Sequence, residues 1–212
     1  MNTNGESPAP MNRRAHWEHV YESKGDAELS WFQSTPTRSL SLIDALRPRP
    51  GRVIDVGGGQ SALASELVAR GVEHVSVVDI ASAAIERGRA RPGATAEAIR
   101  WIVGDVLELR DLGRFDLWHD RAVFHFLTDP EDRRRYVAAA ARAIPAGGHA
   151  IVATFALTGP EKCSGLPACR YDAALLAREF DGSFVGVESA AETHRTPWGR
   201  TQHFTYVVLR RV

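Results

Sequence analysis

The sequence predicts an α/β domain in which helices cover a mostly parallel sheet, and three observations carry this prediction. The 212 residues suffice for one domain with a substantial core and are too few for two full domains with linkers. After Gly51, short apolar runs alternate with helical segments, as is typical of βαβ units. A glycine turn over residues 57–59 joins the first apolar run to a helix.

Five apolar runs predict parallel strands, and the segments between them predict helices. The strands are expected over residues 53–56, 75–79, 99–103, 115–119 and 149–155. The helices are expected at about residues 61–70, 82–89 and 130–144. The last of these has the clearest start, because a capping hydroxyl at Thr128 is followed by a proline and the acid Glu131.

The chain after the fifth predicted strand is expected to complete the sheet. Residues 156–170 predict a long irregular loop that contains both cysteines. A helix over residues 172–180 and two strands near residues 184–188 and 203–209 are expected to follow. Because no helical pattern separates these two strands, they are expected to pair as an antiparallel hairpin with a long turn.

The chain before Gly51 divides into two segments. Residues 1–12 are rich in Asn, Ser, Pro and Gly, which predicts a disordered N-terminus. Residues 13–50 predict a helical lid, because Trp17 and Tyr21 stand four residues apart and would share one helix face. The α/β core is then expected to span residues 51–212.

Composition and charge exclude several classes of protein. With 44% hydrophobic residues, the chain is not intrinsically disordered over most of its length. The 26 basic residues balance the 26 acidic ones, which disfavours a nucleic-acid partner. No run approaches the roughly 20 apolar residues of a membrane span, and the first residues lack the apolar core of a secretory signal, which predicts a cytoplasmic protein. The two cysteines support neither a disulfide framework nor a metal site.

The glycine turn predicts a nucleotide cofactor but does not choose it. Gly57, Gly59 and Ala62 fit a dinucleotide fingerprint, and Asp79 stands 20 residues beyond Gly59, so the spacing leaves a nicotinamide dinucleotide open. Asp55 precedes the turn, where it would repel a pyrophosphate and could instead accept hydrogen bonds from an ammonium group or organise the turn. An amino-acid-bearing cofactor therefore fits better.

A second acid and the C-terminal hairpin point the same way. Asp105 follows the third strand, where its carboxylate could accept a hydrogen bond from the exocyclic amine of an adenine that lies beside the apolar Val106. The antiparallel pair at the C-terminus is unlike the second half of a dinucleotide domain.

In this order and spacing, the motifs resemble the class I methyltransferases that use S-adenosylmethionine, from about residue 16 to residue 210. The resemblance implies a Rossmann-like, seven-stranded sheet that is mostly parallel, with an antiparallel last strand and helices on both faces. It also implies S-adenosylmethionine as the cofactor. The residues that it assigns to cofactor binding are Asp55, Gly57, Gly59, Asp79, Ile80, Asp105, Val106 and Asp120.

The N-terminal segment resembles a narrower group of small bacterial methyltransferases. It carries a His-Trp-x-x-Val-Tyr element at residues 16–21 and a Ser-Trp-Phe-Gln element at residues 30–33. The resemblance implies that this segment closes over the cofactor, which makes Tyr21 and Trp31 candidate contacts. The alternative is that these aromatic residues only pack the first helix onto the sheet.

Residues after the fourth strand are candidates for the catalytic site, because ligands of open α/β folds bind at the carboxyl ends of the strands. Asp120 and His125 are the candidate catalytic residues there. The alternative is that Asp120 caps the following turn and that His125 is buried. His119 is expected to point away from the site, because adjacent strand residues face opposite sides of a sheet.

Two loops, residues 159–171 and 192–199, are expected to form the acceptor site. The candidates are Cys163, Tyr171 and Trp198 for substrate binding, with His194 as a substrate-binding or catalytic residue. A thiolate in the pocket would suit a soft acceptor such as a thiol, selenol or metalloid. The alternative is that Cys163 packs as a small apolar residue and that His194 holds the loop.

These observations predict a methyltransferase that acts on a small-molecule acceptor. Two other functions stay open from the sequence. One is methylation of lysine on a protein partner, which the N-terminal elements support; the other is binding of S-adenosylmethionine without turnover.

Overall fold

The computed structural model describes residues 12–91 and 96–212. The predicted disordered terminus lies outside the described residues, apart from Asn12. The Asn12 side chain accepts a hydrogen bond from the backbone N–H of Ala15 and so caps the first helix, α1 (Arg13–Ser23).

Strands and helices alternate along the chain as predicted. The helices after α1 are α2 (Thr37–Ala45), α3 (Leu63–Ala69), α4 (Ser82–Ala90), α5 (Pro130–Ala143) and α6 (Ala173–Arg178). The strands are β1 (Arg52–Val56), β2 (His74–Asp79), β3 (Ile99–Val103), β4 (Leu117–Arg121), β5 (His149–Phe155), β6 (Lys162–Cys163), β7 (Leu166–Pro167), β8 (Phe184–Arg195) and β9 (Thr201–Arg211).

Seven of these strands form one sheet in the order β3-β2-β1-β4-β5-β9-β8. Strands β1 to β5 are parallel, and β9 runs antiparallel to both of its neighbours. The predicted seven-stranded, mostly parallel sheet with an antiparallel last strand is therefore confirmed. The strand order reverses between β1 and β4, and the carboxyl ends of parallel strands at such a point leave a crevice for a ligand.

The sheet is buried on both faces. Alternate residues of the strands, among them Val53, Leu117 and Ile151, pack with residues of α2, α3 and α4 in one apolar cluster. The residues between them, such as Ile54 and Trp118, pack with α5 and α6 on the other face. Helices thus cover both faces, as predicted, and the crevice lies at the edge of this two-sided core.

Helix α5 is capped by Asp129, whose carboxylate accepts a hydrogen bond from the Glu131 N–H at 2.8 Å, and not by the Thr128 hydroxyl as predicted. Three further segments differ from the sequence prediction. Strand β4 begins at Leu117, two residues late, because Phe115 is buried without joining the ladder. Strand β8 extends to Arg195, so residues 192–195 are strand and the turn of the hairpin is short. The loop predicted over residues 156–170 contains the small β6–β7 hairpin, whose turn places Ser164 and Gly165 at positive φ angles of 49° and 82°.

The N-terminal segment is anchored to the start of α4. The carboxylate of Glu18 accepts hydrogen bonds from the backbone N–H groups of Ser82 and Ala83, at 2.8 and 3.0 Å, and from the Ser82 hydroxyl. These contacts satisfy donors that the first turn of a helix leaves free. The segment is therefore fixed above the crevice. No helix within the two described ranges is long and apolar enough to cross a membrane.

Candidate active site

A cavity lies at the carboxyl ends of β1, β2 and β3, beneath the N-terminal segment. The empty space within it is about 830 Å³, counting the part that opens to solvent. Most of its wall is apolar. The residues predicted for cofactor binding that line it are Tyr21, Trp31, Gly57, Asp79, Ile80, Asp105 and Val106.

The glycine turn brings the backbone to the edge of this cavity. Gly57 has a φ of +66°, which favours glycine, and a Cβ there would overlap the side chain of Val123. The Gly57 N–H donates to the carbonyl of Val78 at 2.7 Å, which fixes the turn against β2. A larger residue at this position would therefore disturb the wall of the cavity.

Asp79 closes β2 with its carboxylate in the cavity wall. It accepts a hydrogen bond from the backbone N–H of Ala81 at 2.9 Å. Burial raises the pKa of Asp79 to about 7, although hydrogen bonds from the backbone of Ala81 and Gly59 act in the opposite direction. A buried acid of this kind is ready to accept hydrogen bonds from hydroxyl groups of a ligand.

Asp105 lies on the other side of the cavity, after β3. Its carboxylate accepts a hydrogen bond from the Leu107 N–H at 2.9 Å, and the Arg13 guanidinium lies 4.0 Å away. Arg13 also forms an ion pair with Asp132 at the start of α5. The first turn of α1 is thus tied across the mouth of the cavity.

Four aromatic rings form the roof of the cavity. The Trp17 ring lies 4.9 Å from Phe126 and 5.8 Å from Trp31, and Tyr21 lies 6.2 Å from Trp31. All four side chains line the cavity and also contact one another. The two interpretations of Tyr21 and Trp31, as packing residues and as cavity residues, are therefore compatible.

A second cavity, of about 570 Å³, adjoins the first on the side of the glycine turn. The two share Tyr21, Trp31, Val56, Gly57 and Arg121 as lining residues.

The second cavity also holds the acid that precedes the glycine turn. Asp55 is 2% exposed, and its Oδ1 lies 2.7 Å from Nδ1 of His119. Its Oδ2 is buried and makes no hydrogen bond within the protein. The arrangement leaves one carboxylate oxygen for a ligand that donates hydrogen bonds.

Arg121, at the end of β4, was not singled out from the sequence. Its guanidinium donates to Glu192 at 3.2 Å, to the Tyr206 hydroxyl at 3.0 Å and to the Trp31 carbonyl at 3.1 Å. It also lies over the Phe204 ring. Arg121 therefore joins the lid to the β8–β9 hairpin. The feature of the sequence that could have identified it is a charged residue at the end of a buried strand.

The structure does not bring Asp120 to either cavity. Asp120 is fully buried on the α5 face, where it accepts hydrogen bonds from the Tyr136 hydroxyl and from the N–H groups of Val123 and Phe124. It thus caps the turn after β4. His119 lies on the opposite face and lines the second cavity, although it was expected to point away.

His125 does not line either cavity. Its ring lies 4.6 Å from that of Phe155, and burial lowers the pKa of the imidazole to about 3. The ring is therefore neutral at physiological pH, packed in the core.

Of the four candidates for the acceptor site, Cys163 lines the first cavity. Burial raises the pKa of its thiol, and its Sγ lies 3.7 Å from the Ser30 hydroxyl. The other three lie elsewhere: the Tyr171 hydroxyl donates to Glu179, His194 Nε2 donates to the Ser30 carbonyl at 2.7 Å, and Trp198 is half exposed at the hairpin turn. The part of the chain that the structure describes holds no cluster of three metal-ligating side chains.

Comparison with known families agrees with this geometry. Residues 53–148 match the family model described as a methyltransferase domain. The matched range includes the glycine turn, Asp79 and Asp105. No curated protein matches this chain in sequence.

Several solved structures share the fold across nearly the whole chain. One comes from a study of the conversion of a disulfide bond into a thioacetal group during echinomycin biosynthesis; it is 20% identical, with a TM-score of 0.75 and coverage of 93% of this chain and 92% of that chain. The N-methyltransferase NodS from Bradyrhizobium japonicum WM9, in complex with S-adenosyl-L-homocysteine, is 16% identical, with a TM-score of 0.71 and coverage of 92% and 97%.

The 1,6-didemethyltoxoflavin-N1-methyltransferase of Burkholderia thailandensis was solved with its substrate and S-adenosylhomocysteine. It is 18% identical, with a TM-score of 0.70 and coverage of 98% of this chain and 93% of that chain. At these identities the likeness establishes the fold.

Proposed function

We propose that this chain is a class I S-adenosylmethionine-dependent methyltransferase and that it transfers the methyl group to a small molecule. The observation that carries the proposal is the aromatic roof. Trp17, Tyr21 and Trp31 cover the cavity between α1 and the sheet, so an acceptor must fit beneath them. A site covered in this way suits a small ligand, whereas a lysine on a protein surface needs an open groove.

The residues that line the two cavities fit the cofactor. Asp79 would accept hydrogen bonds from the ribose hydroxyls, and Asp105 would accept one from the adenine amine beside Val106. The free Oδ2 of Asp55 would bind the ammonium group. Gly57, which has no side chain, leaves Val123 in its place on the cavity wall. This order of groups follows the ends of β1, β2 and β3, so the cofactor would extend across both cavities. The nicotinamide alternative is set aside.

When bound, S-adenosylmethionine supplies a methyl group on a positively charged sulfur. The contribution of the protein is to hold the acceptor in line with that methyl group and to exclude water. The roof performs the second task. Asp120 and His125 have no place in this proposal, because neither side chain lines a cavity.

The first experiment is calorimetric titration of the protein with S-adenosylhomocysteine. We expect saturable binding that Asp79→Asn weakens by about tenfold or more, since a hydrogen bond to a charged group contributes about 1.5–3 kcal/mol. Asp181→Asn, at an exposed position, is the matched control and should bind like the unaltered protein. Absence of binding would overturn the proposal.

The acceptor is found by screening with labelled S-adenosylmethionine. We expect methyl transfer to a member of a panel of thiols, small amines, phenols and nitrogen heterocycles, and none to lysine-containing proteins. Transfer to proteins alone would contradict the small-molecule proposal. Binding of the cofactor with no product in any extract would favour a binding module.

A sulfur acceptor is the second candidate, and Cys163 on the cavity wall favours it. The echinomycin-related structure, which shares the fold, also belongs to a study of sulfur chemistry. Because burial raises the pKa of Cys163, its thiol is protonated near pH 7, and its contribution would be soft, apolar packing against the acceptor. If this is right, Cys163→Ala raises KM for thiol acceptors and leaves KM for amines unchanged; an equal effect on both would exclude it.

A further inference from the structure

Three buried side chains form a hydrogen-bonded chain in the second cavity. Oδ1 of Asp55, on β1, lies 2.7 Å from Nδ1 of His119, on β4. Nε2 of the same imidazole lies 2.8 Å from the hydroxyl of Ser39, on α2. Their exposed fractions are 2%, 3% and 1%. The order of contacts is that of a serine, histidine and aspartate triad. Here, however, the atom without a hydrogen-bond partner is the second carboxylate oxygen, Oδ2 of Asp55.

The chemistry of the carboxylate fixes the direction of the first hydrogen bond. An ionised carboxylate only accepts, so Nδ1 of His119 carries a proton and donates it to Asp55. Nε2 of the same ring is hydrogen-bonded to the Ser39 hydroxyl. The imidazole is thus held at both nitrogens, and its orientation is fixed by α2 on one side and β1 on the other.

The second oxygen of Asp55 is free and closely confined. Oδ2 is buried without a hydrogen-bond partner, and a Cβ on Gly58 would overlap it. A buried carboxylate oxygen that is left unpaired is costly, so a ligand that donates to it gains from the pairing.

Asp55 is an acid on the wall of the second cavity. Arg121, the guanidinium that also lines this cavity, is paired with Glu192. An ammonium group at Oδ2 would therefore meet a carboxylate that takes no part in the ion pair of Arg121 and Glu192.

We propose that His119, held by Ser39, is a positioning residue that fixes Asp55 so that its free oxygen binds the ammonium group of the cofactor. The inference rests on the proposed function, and it adds a determinant of cofactor affinity that lies outside the glycine turn. It assigns α2, a helix of the N-terminal lid, a direct part in building the methionine end of the site.

Two ligands separate this role from a purely structural one. S-adenosylhomocysteine carries the ammonium group, whereas 5′-methylthioadenosine has the adenosine and sulfur without the amino-acid end. His119→Gln removes the donor at Nδ1 and should weaken binding of S-adenosylhomocysteine by about 10- to 100-fold, the range expected for a hydrogen bond to a charged group. Binding of 5′-methylthioadenosine should change by less than about twofold, because that ligand does not reach Asp55.

Conservative variants provide the matched controls. His119→Asn places an amide N–H near the position of Nδ1 and should restore most of the affinity. Ser39→Ala removes a single hydroxyl and should weaken S-adenosylhomocysteine alone, by less than His119→Gln. Gly58→Ala leaves His119 in place but crowds Oδ2 and should also act on S-adenosylhomocysteine alone.

The outcomes distinguish the two proposals. Equal weakening of both ligands in the His119→Gln, Ser39→Ala and Gly58→Ala proteins would overturn the positioning role, because it would indicate general damage to the site. Unchanged binding of S-adenosylhomocysteine in all three would overturn it as well. Failure of the unaltered protein to bind either ligand would overturn the proposed function, and the inference with it.

Discussion

The guanidinium of Arg121 and the carboxylate of Glu192 lie 3.2 Å apart and join the end of β4 to the strand β8. The lid meets this pair from both sides. The Trp31 carbonyl accepts a hydrogen bond from Arg121, and the Gln33 amide donates one to Glu192 at 2.8 Å. The lid is therefore fixed over the cavity by an ion pair whose two residues belong neither to the lid nor to the glycine turn.

Glu192→Gln should lower the free energy of unfolding at pH 7 by about 1–3 kcal/mol, because it leaves Arg121 buried without a charged partner. Burial alone would raise the pKa of Glu192, but Arg121, Gln33 and Tyr206 together hold the pKa below its usual value. The stabilisation is thus complete above the pKa of an unfolded glutamate and is lost as the pH falls through the lower, folded value. Urea denaturation at several pH values measures it.

The control for this ion pair lies on the same strand. Glu188 is exposed, and Glu188→Gln should leave the unfolding free energy nearly unchanged. If both variants lose the same stability, or if the loss in Glu192→Gln does not shrink at low pH, the pair does not hold the lid.

Cofactor binding should strengthen as the pH rises through 7. Asp79 must be ionised to accept hydrogen bonds from two ribose hydroxyls, and its pKa is raised to about 7. The affinity for S-adenosylhomocysteine should therefore rise about tenfold between pH 6 and pH 8, which is the gain from ionising one group with a pKa of 7. Calorimetry across this range should give a much flatter profile for Asp79→Asn. An equally steep profile in that variant would assign the titration to another group.

The sequence was sufficient to predict the glycine turn and the acids at the ends of β2 and β3. Asp79 directly follows an apolar run, Asp105 follows the next run after a single glycine, and the carboxyl ends of parallel strands meet at one edge of the sheet. Their position at the cavity can be predicted without knowing which face of the sheet each side chain is on, because both residues stand where a strand ends.

The choice between His119 and Asp120 could not be made in the same way. Both faces of this sheet are covered by helices, so the apolar pattern along β4 does not distinguish them. Their hydrogen-bond partners do distinguish them. The His119 side chain is hydrogen-bonded to Asp55 and Ser39, and the Asp120 side chain is hydrogen-bonded to Tyr136. These partners come from segments up to 80 residues away along the chain, as in the case of Ser39.

Asp120 should matter for stability and not for cofactor affinity. It joins the turn after β4 to Tyr136, whose hydroxyl also accepts a hydrogen bond from Trp118 at 2.9 Å. Asp120→Ala should lower the unfolding free energy by about 2–4 kcal/mol, because it leaves these buried donors unpaired. Where the variant is folded, its affinity for S-adenosylhomocysteine should stay within about twofold of the original. A large loss of affinity in a folded variant would restore Asp120 as a site residue.

Alkylation of Cys163 should report on the opening of the lid. The side chain lines the cavity, is 5% exposed and lies against Ser30, and burial raises the pKa of the thiol. Iodoacetamide, which reacts with the thiolate, should therefore modify it slowly at pH 7, and S-adenosylhomocysteine should slow the reaction further.

Trp17→Ala removes a ring from the roof and should accelerate the modification, whereas the rate at Cys169, followed by mass spectrometry in the same sample, should not change. Equal acceleration at both cysteines would indicate general loosening of the fold, and no acceleration at Cys163 would mean that Trp17 does not control access to the cavity.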